Sequence, residues 1–376
     1  MLPNDPTPLA RREVRELQRY NAGLSSEQVA KRFGVSQIAK LGSNENPYGP
    51  SPQVGAAISS AMADSGLYPD AACSLLRDAL SARLGVTPEQ MVFGNGSEDL
   101  IAILCRVFLD HGDKLVTITP AFGLHTLYPH SLGAQVHAVP MLADGGFDIE
   151  GLIDALAVPP RMLMFSSPSN PVGSALSASQ LEQILSALTP ATLLVFDEAY
   201  YEYALASPGY PDVLTQLAEQ QTPWIVLRTF SKAYALAGLR VGYGVVSSAA
   251  LADLIDRLRT PFNVNRLAQV AALAALQDEA HLQAGLAATI RERERLNQAL
   301  TEMGINVVPS LTNFLFFETD QPSAQLHETL LAYGVIVKPW LEPEYTCWTR
   351  VSIGSPDEND QFLAALSRSL RPPMIP

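Results

Sequence analysis

Primary amines are scarce in this chain. Its 25 basic residues include only five lysines, Lys31, Lys40, Lys114, Lys232 and Lys338. Lys232 lies in WIVLRTFSKAYALAGLRVGY, where a buried-strand pattern runs into a turn carrying Thr229 and Ser231. A lysine among such small, apolar flanks loses hydration, so its pKa falls and its amine becomes a nucleophile. The competing reading is a solvated loop lysine. Arg240, further along the same segment, can hold a phosphate together with Thr229 and Ser231. Taken alone, it reads equally as a structural arginine.

Four other segments place polar or aromatic groups at the ends of apolar runs. Asp197 follows LLVF in LLVFDEAYYEY. A carboxylate there needs either a cation, such as a protonated pyridine nitrogen, or an ordinary cap or salt-bridge partner. The phenol of Tyr200 can reach the same pocket. GNGSED (94–99) opens a helix after MVF, and the amides of Gly96, Ser97 and Glu98 can point at an anion. By itself this turn is a weak signal, without the ending of a nucleotide P-loop. SSPSNPVGS (166–174) brackets Asn170 between two prolines, a setting for a cis peptide. Phe122, after LVTIT, can stack on a flat ring or simply fill the core.

The elements that must carry these residues alternate. LVTIT (115–119), MLMF (162–165), LLVF (193–196) and WIVL (224–227) read as buried strands. Amphipathic helices start at Ser97 and Ser177, each with a serine as the expected N-cap. This pattern predicts an α/β fold with a mainly parallel sheet and ligands at the strands' carboxyl ends. After residue 260 come one long helical stretch (Asn265 to Met303), NFLFFE (313–318), a helix near 322–333, VIVK (335–338), RVSI (350–353) and a helix near 358–370. The expected division is an N-terminal arm (1–45) packing with the small domain, a large domain (46–260) and a smaller α+β domain (261–376).

Composition narrows the function. The net charge of −13 argues against a nucleic-acid partner. LSSEQVAKRFGVS (24–36) looks like half of a helix-turn-helix, but reads better as a short amphipathic helix capped by Gly34. A DNA-binding regulator is therefore the weakest alternative. The three cysteines (Cys73, Cys105, Cys347) and six histidines form no disulfide or metal pattern, and His125 and His130 read as structural or surface residues. No apolar run is long enough to span a membrane, and the N-terminus lacks the apolar stretch of a signal peptide. The expected setting is soluble and cytoplasmic.

Taken together, LGSNENPYGPSP (41–52), YPD (68–70), GNGSED, SPSNPVG, VFDEAYYEY, RTFSKAYALAGLRVGY and CWTRVSIG (347–354) resemble the histidinol-phosphate aminotransferase family. Those enzymes are fold type I transferases that depend on pyridoxal 5'-phosphate. The resemblance implies that Lys232 is the catalytic Schiff-base lysine and that Asp197 partners the pyridine nitrogen. It gives Asn170 and Tyr200 the ring oxygen, Phe122 the stacking position, and Gly96, Ser97, Glu98, Ser231 and Arg240 the phosphate. Tyr68 would reach the cofactor of a neighbouring subunit in a homodimer. Asn46, Arg350 and Lys338 would face the substrate, and no metal is implied. Lys338 stands where the family often has arginine, Val172 where threonine is common, and GNGSED reorders the usual acidic pair.

The activity implied is transfer of an amino group from histidinol phosphate to 2-oxoglutarate, in histidine biosynthesis. An aromatic amino acid aminotransferase would use the same machinery, and an apolar donor would tolerate Lys338 more easily than a phosphate. A phosphothreonine-type decarboxylase on the same fold is the third reading, separated by carbon dioxide release.

Overall fold

The computed structural model describes residues 4–21 and 23–370. The expected arm and small domain thus each include a few residues outside this range. Seven strands form the main sheet: β1 (Met91–Gly94), β2 (Lys114–Thr119), β3 (Gln135–Pro140), β4 (Met162–Ser166), β5 (Leu193–Asp197), β6 (Trp224–Thr229) and β7 (Gly242–Val246). Their order is β1-β7-β6-β5-β4-β2-β3. β7 pairs antiparallel with both neighbours, and every other pairing is parallel.

Strict alternation along the central strands sends side chains to two cores. Leu163, Phe165, Leu194, Phe196 and Val226 join one, with helices Ile149–Leu156 and Ala178–Ala187. Met162, Met164, Leu193, Val195, Ile225 and Leu227 join the other, with helices Ser97–Phe108 and Ala249–Leu258. Burial on both faces explains why these strands read as continuous apolar runs.

A smaller antiparallel sheet contains β8 (Asn306–Val308), β9 (Phe314–Glu318), β10 (Lys338–Pro339) and β11 (Trp348–Ser352), in the order β10-β11-β9-β8. VIVK does not form one strand. Val335–Ile336 pairs in parallel with Ala39–Lys40 of the arm, while Lys338–Pro339 joins β11. The long stretch after Asn265 is two helices, Arg266–Gln277 and Glu279–Glu302. Asp278 ends the first and caps the second through the His281 amide, a break that helical periodicity alone does not reveal. The 24–36 segment is a helix, Ser26–Phe33, with a Ser25–Gln28 capping box and a left-handed Gly34. Among the described residues, no helix is long and apolar enough to cross a membrane.

Candidate active site

The carboxyl ends of β4, β5 and β6 lie side by side, and backbone pairing continues past them. The Ser167 amide donates to the Asp197 carbonyl (3.1 Å) and the Glu198 amide to the Leu227 carbonyl (2.8 Å). Asp197 is buried at this edge. Its Oδ1 accepts from the Ala199 amide at 3.0 Å, and Oδ2 lies 3.2 Å from His125 Nε2. His125 is completely buried, so of its two expected roles the surface one falls and the structural one stands: it braces the carboxylate. Its Nδ1 has no partner among the described residues, which fits an imidazole that donates from Nε2. Nor does a lysine or arginine pair with Asp197 among those residues.

Tyr200 sits one turn beyond β5. Its hydroxyl accepts from Asn44 Nδ2 at 2.9 Å, and burial pushes the phenol up to about 12. Asn44 is buried with φ 53°, a left-handed conformation that asparagine tolerates better than most residues. The carbonyl of Asn44 lies 3.4 Å from Lys232 Nζ, which is 5.9 Å from the Tyr200 ring centre. Burial pushes the Lys232 amine down to about 8; Arg350 and Arg240 add to this, while Glu45 and Asp197 oppose it. That shift enlarges the neutral, nucleophilic fraction of the amine near neutral pH.

Asn170 is buried between two cis peptides, Ser167–Pro168 and Asn170–Pro171. Its Oδ1 accepts from Arg350 Nη1 at 2.6 Å, and Arg350 Nη2 donates to the Gly42 carbonyl at 2.8 Å. Arg350 Nε is unpartnered among the described residues. Lys338 is the register partner of Arg350 across β10 and β11. Its Nζ donates to the Asn21 carbonyl of the arm at 2.6 Å, and burial, then Arg350, push it down to about 8. Tyr20 meets Phe122 edge-on at 6.5 Å, and Phe122 meets His125 edge-on at 5.5 Å.

The anion cradle differs from expectation in two details. Gly96, not Ser97, occupies the N-cap, with φ 84° and ψ 161°. Only glycine adopts this backbone freely, so the helix starts with Ser97 as its first residue. The Gly96 amide donates to the Gly94 carbonyl at 2.8 Å and is not free for an anion. Gly96 instead provides room: a Cβ there would lie 2.5 Å from Arg240 Nη2. The amides of Ser97 and Glu98 start the helix and need partners from outside it. Glu98 turns its carboxylate to Tyr128 (2.9 Å) and Arg240 (3.5 Å), leaving only its amide for an anion. Thr229 Oγ1 donates to Ser231 Oγ at 3.0 Å.

Two further expected residues, Asn46 and Tyr68, make contacts of their own. Asn46 donates to the Ala233 carbonyl at 3.0 Å, beside the Lys232 turn. Tyr68 is exposed and stacks on Phe262 at 4.6 Å, lining an open groove of about 510 Å³ with Pro69, Pro261 and Arg266. Among the described residues no cluster of His, Cys, Asp and Glu could hold a metal.

A model of the aminotransferase class I and II family matches residues 36–366. The chain belongs to that family. It is also 48% identical to histidinol-phosphate aminotransferase 1 of Mesorhizobium japonicum, over 96% of this chain and 98% of that protein. Histidinol-phosphate aminotransferase 3 of Rhizobium meliloti is 47% identical, over 96% and 97%. Among solved structures, the histidinol-phosphate aminotransferase from Sinorhizobium meliloti in complex with pyridoxal-5'-phosphate superposes with a TM-score of 0.87. It is 28% identical, with 95% of this chain and 96% of that one covered. The protein is thus a fold type I aminotransferase of the histidinol-phosphate aminotransferase family, acting on small molecules.

Sequence reasoning missed two residues of this aminotransferase site. Asn44 was hidden in the same turn as Asn46, and only its left-handed backbone aims it at Tyr200. His125 lies three residues after Phe122, just inside the short helix Leu124–Ser131, and the turn before that helix brings the two rings edge to face.

Proposed function

We propose that this aminotransferase uses pyridoxal 5'-phosphate to move an amino group from histidinol phosphate to 2-oxoglutarate, giving imidazole acetol phosphate and glutamate. One observation carries the cofactor reading. A depressed amine at Lys232 shares a cleft with a buried Asp197 that no lysine or arginine among the described residues neutralises. That combination asks for an aldehyde on one side and a ring cation on the other.

The remaining donors suit the same group. Asp197 would hold the pyridinium nitrogen, with His125 fixing the carboxylate. Tyr200 and Asn170 would hold the ring oxygen, and Phe122 would cover one face. The Ser97 and Glu98 amides, Ser231 and Arg240 would hold the phosphate, with Gly96 leaving room for the Arg240 guanidinium. Lys232 would hold the aldehyde. When bound, this cofactor supplies a carbonyl that takes over amino groups and a cationic ring that accepts an electron pair.

The chain's own groups do the rest. Arg350 anchors the donor or acceptor carboxylate or phosphate, with Asn170 fixing its guanidinium plane. Lys232 Nζ, neutral once freed, takes the substrate α-proton and holds it as the ammonium. The Tyr200 phenol stays protonated at neutral pH and donates a hydrogen bond throughout. Phe122 and Tyr20 keep water off that face. The relatives' names support histidinol phosphate as donor. The exposed Tyr68–Phe262 groove supports a homodimer in which Tyr68 reaches the partner's site.

A second donor class has its own observation. Lys338 donates to the Asn21 carbonyl, and the nearby cleft wall is aromatic, which suits phenylalanine or tyrosine. Steady-state kcat/KM with histidinol phosphate, phenylalanine and tyrosine decides. Histidinol phosphate should lead by at least about tenfold, or roughly 1.4 kcal/mol of discrimination. An aromatic donor in the lead overturns the substrate assignment and leaves the cofactor chemistry standing.

A further inference from the structure

Behind the cleft lies a second buried polar cluster that none of the proposed chemistry uses. Strand alternation sends Asp197 to one face of the sheet and its neighbour Glu198 to the other. Glu198 is wholly buried, and so is the guanidinium of Arg228 on β6. Arg228 Nε and Nη2 both approach Glu198 Oε2, at 2.8 and 2.7 Å. Its Cζ lies 3.4 Å from the centre of the Tyr201 ring. The other carboxylate oxygen, Oε1, lies 2.7 Å from the hydroxyl of Tyr210. That hydroxyl is also 2.9 Å from the carbonyl of Ser167.

These contacts join three loops. Arg228 stands four residues before Lys232, Glu198 directly follows Asp197, and Ser167 lies three residues before Asn170. An ion pair buried this deeply is seldom worth keeping for stability alone, because desolvation offsets most of its attraction. An apolar trio of similar volume would fill the space at least as well. What the polar trio adds is fixed direction: a fork on one oxygen, a hydroxyl on the other, and a carbonyl beyond.

We propose that Glu198, Arg228 and Tyr210 are positioning residues that set the register of the loops carrying Asn170, Asp197 and Lys232. Arg228 holds the loop after β5 to β6, and Tyr210, whose one hydroxyl proton is shared between Glu198 Oε1 and the Ser167 carbonyl, holds it to the loop after β4. The network touches neither substrate nor cofactor. It acts by fixing where the ring partners and the amine stand relative to one another, a placement in which small errors are costly. The inference rests on the assignment of those three residues to the cofactor.

Tyr210→Phe tests it, because it removes one hydroxyl and keeps the ring. The wild-type protein is characterised first. If it neither turns yellow with pyridoxal phosphate nor transaminates, the cofactor assignment fails, which is a separate result. Given an active wild type, the variant should lose about tenfold in kcat with KM within about twofold. It should also bind pyridoxal phosphate more weakly by equilibrium dialysis and shift the pH at which the bound chromophore titrates. A variant that only melts earlier, with kcat, cofactor affinity and chromophore titration all unchanged, overturns the proposal. So does a variant indistinguishable from wild type. If Tyr210→Phe does not fold, Arg228→Lys, which keeps the charge but loses the fork, is judged by the same three readouts.

Discussion

On the proposed assignment, the ring end of the cleft and its outer, substrate end are built differently. At the ring end, the side-chain pairs are His125–Asp197, Asn44–Tyr200 and Arg350–Asn170. All are buried and separated by 3.2, 2.9 and 2.6 Å. At the outer end, Lys338 donates to a backbone carbonyl of the arm, and the half-exposed Tyr20 meets Phe122 at 6.5 Å. Buried, mutually satisfied dipoles hold one geometry and need no reorganisation as charge develops. A long amine on an arm carbonyl rearranges cheaply. On that assignment, the contrast teaches that the chemistry and the Arg350 anchor are fixed at the rigid end, and that discrimination among substrates is set at the adaptable one.

Substitutions at the two ends should therefore differ in kind as well as size. Lys232→Ala removes the amine between them. Glutamate formation should fall by at least about 10³-fold, with the fold intact by circular dichroism. Near-normal transamination by that variant would break the comparison at its centre. Asp197→Asn keeps the hydrogen-bonding shape at the ring end and removes the charge. It should lower kcat by about 10²-fold for every donor alike, measured under saturating cofactor. A donor-selective loss would mean that the ring end takes part in choosing substrates.

Lys338→Arg should have the smallest effect. The guanidinium offers a bidentate fork where the amine offers a point charge. The ratio of kcat/KM for histidinol phosphate to that for phenylalanine should rise by about three- to tenfold, with kcat little changed. A change in kcat for both donors, without a change in the ratio, would place Lys338 at the rigid end instead.

Much of the main sheet was legible because its strands are buried on both faces, which leaves compact apolar runs such as MLMF and LLVF with polar residues directly after them. Asp197 and Lys232 stood out for that reason. Features held by distant partners were not legible. β7 reads as a glycine-rich tail of the Lys232 segment, and only its pairing with β1 and β6 makes it a strand. Asp278 breaks a continuous helical pattern because its carboxylate caps the next helix. VIVK divides between two sheets because the arm strand Ala39–Lys40 takes its first half.

By itself, the sequence determined the central buried strands and which residues stand at their carboxyl ends, because periodicity and burial act over a few neighbouring positions. Tertiary structure alone decided that His125 meets Asp197, that Asn44 meets Tyr200, and that Arg350 reaches Asn170 across 180 positions. Those pairings depend on directions in space that close only when the layers pack. Nothing in the local pattern of a chain records them.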